Sequence, residues 1–226
     1  MAFVNNTVDI AVALGNGVYS VGQDIALGIE RTGEGLGLGN DGRVATIGHE
    51  NNAMASLIKE FIKYGIKNRN SPLYKTIVLI LEHYYSYVPD ETISALYKQA
   101  GIGAGYTVGR MIIGKKLASA IAMKIAIAIA ASATYQQIAK RLGISSAVSG
   151  TGIGAPIGLL MMQGLMQRSS HASMRLKNKS PKLYTVLQRK GNLQLLYFLI
   201  EKPLEKHIQA IYIAEQKLNI CRVYKK

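Results

Sequence analysis

Two apolar runs joined by a dibasic pair constrain this chain more than any other feature. The first, residues 117–139, is 23 residues long and carries one charge, Lys124. The second, residues 142–167, is 26 residues long and carries none, and Lys140 and Arg141 join the two. As α-helices rising about 1.5 Å per residue, both would reach across the roughly 30 Å hydrocarbon core of a bilayer. The pattern predicts an all-α protein with a central hydrophobic, Gly/Ala-rich helical hairpin able to insert in a membrane.

Insertion is finely balanced. Lys124 at the middle of a spanning helix costs about 2.5–3.5 kcal/mol. Leu117, Ile121, Ile125, Ile127, Ile129 and Ile138 each return roughly 0.3–0.6 kcal/mol. A segment so poised can wait in water inside a fold and enter a membrane later; a buried helical pair is the plainer alternative. Ile125, Ile127 and Ile129 alternate with Ala126, Ala128 and Ala130, which is a strand period. The length of the run and its alanine content favour a helix.

Charge is distributed unevenly. The formal net charge is +14, yet residues 1–50 hold Asp9, Asp24, Glu30, Glu34, Asp41 and Glu50 against only Arg31 and Arg43. From Thr92 to Ile200 there is no Asp or Glu, and there are fourteen Lys and Arg. Such a region suits an anionic surface, either nucleic acid or lipid headgroups. Lys115, Lys116, Arg168, Arg175, Lys177 and Lys179 flank the hairpin and are the candidate headgroup ligands. Lys124, Lys140 and Arg141 are the candidate charges of the inserted hairpin.

Four regions follow from composition: a Gly-rich acidic arm (1–50), amphipathic helices (51–100), a small-residue segment with the hairpin (101–168), and a basic helical region (169–226). In the arm, residues 11–14 and 18–29 could form short helices, and glycine density predicts a loop over residues 33–42. Asn51 or Asn52 is the expected cap of the next helix, which Gly65 ends. Ser71-Pro72 predicts a capped start for a third, Pro89 its stop, and Asp90 a further cap. Gly101, Gly105 and Gly109, and again Gly150, Gly154 and Gly158, recur every fourth residue, a spacing that brings helix backbones together in lipid. A basic polar span follows Arg168, and helical signals return at Leu183, from Leu193 to Ile200, and after Pro203.

Chemistry of the catalytic kind is not suggested. His49, His83, His171 and His207 are scattered, and Cys221 is the single cysteine, so neither a metal site nor a disulfide framework is expected. Residues 109–116 fit GxxxxGK, but Lys116 stands where Ser or Thr would hold Mg²⁺ and no acid lies nearby. The expectation is a non-enzyme without a cofactor. The first ten residues lack a basic n-region, so export without a cleaved signal peptide is expected, after synthesis in the cytoplasm.

This organisation resembles the small antibacterial effectors delivered by type VI secretion systems that form ion-selective pores. More loosely, it resembles the hydrophobic hairpin of pore-forming colicins. The resemblance rests on the leaderless start, the acidic glycine-rich front, the basic apolar hairpin and the lack of a catalytic motif. It implies a pore-forming toxin that depolarises the target cell's inner membrane. It also implies a cognate immunity protein, contact with the secretion machinery and a homo-oligomer in the membrane. Two alternatives stand beside it: a basic nucleic-acid-binding protein, and a small integral membrane scaffold or holin-like protein.

Overall fold

A computed structural model describes residues 21–38, 42–66, 68–99, 110–132, 135–136, 138 and 155–223. Among the described residues all regular structure is helical, so the fold is all-α. The helices are α1 (Val21–Gly35), α2 (Gly42–Tyr64), α3 (Pro72–Tyr85), α4 (Asp90–Gln99), α5 (Arg110–Ala131), α6 (Ala155–Lys179) and α7 (Pro181–Arg189). A 3₁₀ turn (Leu193–Leu196), α8 (Tyr197–Ile200) and α9 (Glu205–Val223) follow.

The third helix is the hub. Ser71 caps it by accepting from the Tyr74 amide, and Pro72 occupies the first turn, where a missing N–H costs nothing. Leu73, Ile77, Ile80 and Leu81 are fully buried, at the spacing that lines one helical face. On one side lies α5, through Leu117, Ala118, Ala122, Ile125, Ala126 and Ile129. The alanines let the two axes approach, and the Tyr74 hydroxyl meets Ser119 across the gap. On another side lie α7, the 3₁₀ turn and α9, with Leu183, Leu187, Tyr197, Leu204, Ile208 and Ile211 in the core. The alternating isoleucines are resolved as a helix resolves them: Ile125 and Ile129 are buried, whereas Ile127 is 44% exposed.

Several expected boundaries move. Helix α2 begins at Gly42 and runs through Asn51 and Asn52, which are not its cap. Asn51 is used in tertiary bonding to Arg31, and Ile47 is already buried, so packing extends the helix upstream of any capping signal. Helix α1 continues through Gly33 to Gly35, where a loop was expected; the turn comes at Leu36–Leu38, with Gly37 at φ +80°. Gly65 does end α2, at φ +65°, and its amide bonds the Phe61 carbonyl. The boundaries drawn at 50/51 and 168/169 fall inside α2 and α6.

The apolar arms are displaced most. Helix α5 starts at Arg110 and stops at Ala131, so it takes in Arg110, Lys115 and Lys116 and leaves out residues 132–139. Ser132 makes the break. Its hydroxyl donates to the Ile129 carbonyl and accepts from the Tyr135 amide, and Gln136 Nε2 closes the Ala130 carbonyl at 2.7 Å. Helix α6 runs 155–179, taking in Arg168, Arg175, Lys177 and Lys179; residues 142–154 lie outside the described residues. The polar span expected after Arg168 is the second half of this helix, with Ser169, Ser170 and Ser173 buried. Helix α5 thus ends short of the end of the first apolar run, and α6 extends twelve residues beyond the second. Among the described residues, no helix is long and apolar enough to cross a membrane.

Candidate functional site: a basic helix face and a polar clasp

The outward side of α5 is a stripe of Lys116, Lys124, Ile127 and Ala131, all exposed. Lys116 and Lys124 are two turns apart, about 12 Å along the axis. Lys115 is exposed as well and faces Glu82 of α3. Burial raises the Glu82 carboxyl above its ordinary value, and the Lys115 charge pulls it partly back. The arm is therefore two-sided, with ammonium groups outside and Leu, Ile and Ala inside.

Helix α6 is covered differently, and its most extensive neighbour is α1. The two backbones touch through glycine. A Cβ at Gly28 would lie 1.9 Å from the Leu160 carbonyl oxygen, and one at Gly164 would lie 1.8 Å from that of Asp24. Such reciprocal approach suits Cα–H···O contacts, each contributing about 0.5–1 kcal/mol. Around the crossing sits a polar group drawn from α1, α2 and α6. Arg31, with a fully buried side chain, donates to Glu50 (2.9 Å), Gln167 (3.2 Å) and Asn51 (2.9 Å). Gln167 donates to Glu30 (3.2 Å) and Glu34 (3.3 Å), and Arg43 bonds Glu34 and the Gln167 oxygen. Arg168 pairs with the buried Asp24, and Ser170 donates to Glu50 at 2.7 Å. The acidic front supplies the carboxylates that the acid-free region lacks.

This changes the standing of several candidate residues. Arg168 is engaged with the buried Asp24, whereas Arg175 lies at the surface, half exposed, in a two-pronged bond to Glu201 at 2.8 and 2.6 Å. Lys177 lies over the Tyr184 ring, 5.6 Å from its centroid, and Lys179 is half-buried. Lys115, Lys116 and Lys124 are exposed. Lys140, Arg141, Gly101, Gly105, Gly109, Gly150 and Gly154 lie outside the described residues, and Gly158 lies within α6. The hairpin's arms have different packing partners, α5 resting on α3 and α4 while α6 rests on α1, α7, α8 and the 3₁₀ turn.

Apart from Arg168, expected at a headgroup surface, the residues of the clasp were not among the sequence candidates. Their signal is nonetheless present. Asp24, Gly28 and Arg31 fall at i, i+4 and i+7, as do Leu160, Gly164 and Gln167, so each set lines one face.

A second polar node joins α3, α9 and the start of α7. Glu215 is 4% exposed, and its Oε1 meets His83 Nε2 (3.0 Å), the Ser180 hydroxyl (2.9 Å) and the Tyr87 hydroxyl (3.3 Å). Burial first, and then Glu215, push the Tyr87 hydroxyl up to about 12, so it stays a donor. Serine and histidine both address the carboxylate, and the fully buried Ser180 also caps α7. The arrangement fastens α3, α7 and α9 to one another.

No family model, curated protein or solved structure matches this chain.

Proposed function

We propose that the chain acts on anionic bilayers and permeabilises them, as an interbacterial pore-forming toxin met by an immunity protein in the producing cell. One observation carries the reading: α5 has exposed lysines on one face, a buried Leu/Ile/Ala face on the other, and no acid along its length. A lysine near an anionic leaflet contributes about 1 kcal/mol, and Ile127 is already outside for shallow contact. The separate packing of the two arms favours the reading too, because either can leave its neighbours without unwinding the other.

Spanning demands a change of register. Residues 117–139 reach across a bilayer only if the helix continues through Ser132, so insertion entails healing that break and drawing Lys115 and Lys116 back to the headgroups. The tip, Lys140-Arg141, would then gain roughly 4–5 kcal/mol per 100 mV of inside-negative potential. The test is flotation with phosphatidylglycerol vesicles and with phosphatidylcholine vesicles. Binding confined to the anionic vesicles and weakened by salt is expected. Equal affinity for both, or salt-sensitive binding to nucleic acid with none to vesicles, would sink the reading.

A further inference from the structure

Helix α1 is attached in an unusual way. From Gln23 to Gly35 its buried residues are Asp24, Gly28 and Arg31, and none of the apolar side chains over that stretch is buried. Ile25 and Leu27 are half-covered, while Ile29 is 58% exposed and Leu36, just beyond the helix, 74%. The helix touches α6 and α2, and apart from Ile47 of α2, which is buried beside Gly35, its buried attachment consists of glycine–backbone contact, ion pairs and hydrogen bonds. Polar partners of this kind can be exchanged for water nearly one for one, whereas core side chains cannot. The neighbouring face of α6 is anchored otherwise, with Leu165, Met166, Ala172 and Leu176 in the hydrophobic core. Removing α1 therefore leaves the core closed and uncovers the Leu160–Gly164–Gln167 face of the second apolar arm.

We propose that α1 is a charge-latched strap over α6, which opens as a unit while the helices around α3 stay folded. It rests on the reading that the second arm meets lipid: opening the strap is the step that presents the arm. Its fastenings are the Arg31 group with Glu50, Asn51 and Gln167, the Asp24–Arg168 pair, and the Gly28/Gly164 crossing. The groups that hold it from outside α1 are Arg43, Glu50 and Asn51 on α2, and Gln167 and Arg168 on α6.

Hydrogen exchange of the free wild-type chain, followed by mass spectrometry, is the direct test. The strap requires amides of residues 21–35 to exchange at least about tenfold faster than those of 72–85, through an opening that leaves the latter protected. Gly28→Leu, whose side chain collides with the Leu160 carbonyl, and separately Arg31→Met, should each speed exchange of 21–35 by about tenfold again without altering 72–85. If 21–35 and 72–85 exchange together in the wild type, or if either variant loosens the whole chain in step, the strap is refuted. Binding of the same variants to phosphatidylglycerol vesicles separates the two ideas. Faster exchange with tighter vesicle binding supports both; faster exchange with unchanged binding keeps the strap and removes the membrane reading.

Discussion

Replacing Glu215 by leucine should cost far more than its place near the end of the chain suggests. Three donors converge on one carboxylate oxygen, but they do not lose equally. The His83 side chain is 17% exposed and Tyr87 is half-buried, so both recover water, and each loses about 0.5 kcal/mol or less. Ser180 is fully buried, and stranding its hydroxyl costs about 1–3 kcal/mol. The sum is about 1–4 kcal/mol for Glu215→Leu, and about 1–3 kcal/mol after the leucine recovers some apolar burial. Glu215→Gln keeps an acceptor oxygen and gives up only charge assistance, about 1 kcal/mol. Urea unfolding measures both, with an unchanged slope expected because the surface exposed on unfolding is the same. In a thermal melt the leucine variant should fall roughly 2–12 °C for a chain of this length. Adding Ser180→Ala to Glu215→Leu should cost less than Ser180→Ala alone by about 1 kcal/mol. A leucine variant within about 0.5 kcal/mol of wild type, with no coupling to Ser180, would refute the node.

Other expectations follow from the same geometry. Burial lowers His207 to about 4, and its ring meets Tyr84 edge-on at 4.9 Å. Its neutral form is favoured in the fold, so this stability is full above the ordinary value of about 6.5. It is lost as pH falls towards about 4, by up to about 3 kcal/mol, and His207→Leu should flatten that part of a pH–stability curve. Lys116→Ala with Lys124→Ala should weaken binding to phosphatidylglycerol vesicles by about 10–30-fold at low salt and leave the thermal melt unchanged; unaltered binding would remove the α5 face from the account. Ile80→Ala, at the centre of α3, should cost about 2–5 kcal/mol in urea unfolding, and a cost under 1 would contradict its place in the core.

What could be read from the sequence was local. Ser71-Pro72 carries its own start signal, since a hydroxyl acceptor and a fixed φ suffice, and Gly65 carries its own stop. The helical nature of 117–131 was legible because alanine and length outweigh an alternating pattern. The ends of the arms were not, because a hydropathy run marks what can be buried and not where a helix is interrupted. Ser132 and Gln136 end α5 with side-chain bonds that look, in sequence, like ordinary polar residues in an apolar run.

The arm's fate was hidden for another reason. A short helix over 18–29 was legible, but glycine density set a loop from residue 33 although the helix runs to Gly35, and the value of Gly28 lies in a contact with a residue 132 positions away that propensity does not show. Asp24, Arg31 and Glu50 entered the sequence reading only as part of an acidic front, and only the fold brings them to Gln167, Arg168 and Ser170. Glu215 is the counterpart at the other end: it shares the stripe of Leu204, Ile208 and Ile211, and a carboxylate in that register needs donors that only α3 and Ser180 supply.

The measurement that bears most directly on the proposed role is ion flux from potassium-loaded phosphatidylglycerol liposomes, with and without an imposed inside-negative potential. The account predicts flux that grows with the potential, retains large dyes, and changes in size or selectivity when Lys124 becomes glutamate. Absence of flux at every potential, in vesicles that the protein demonstrably binds, would contradict it.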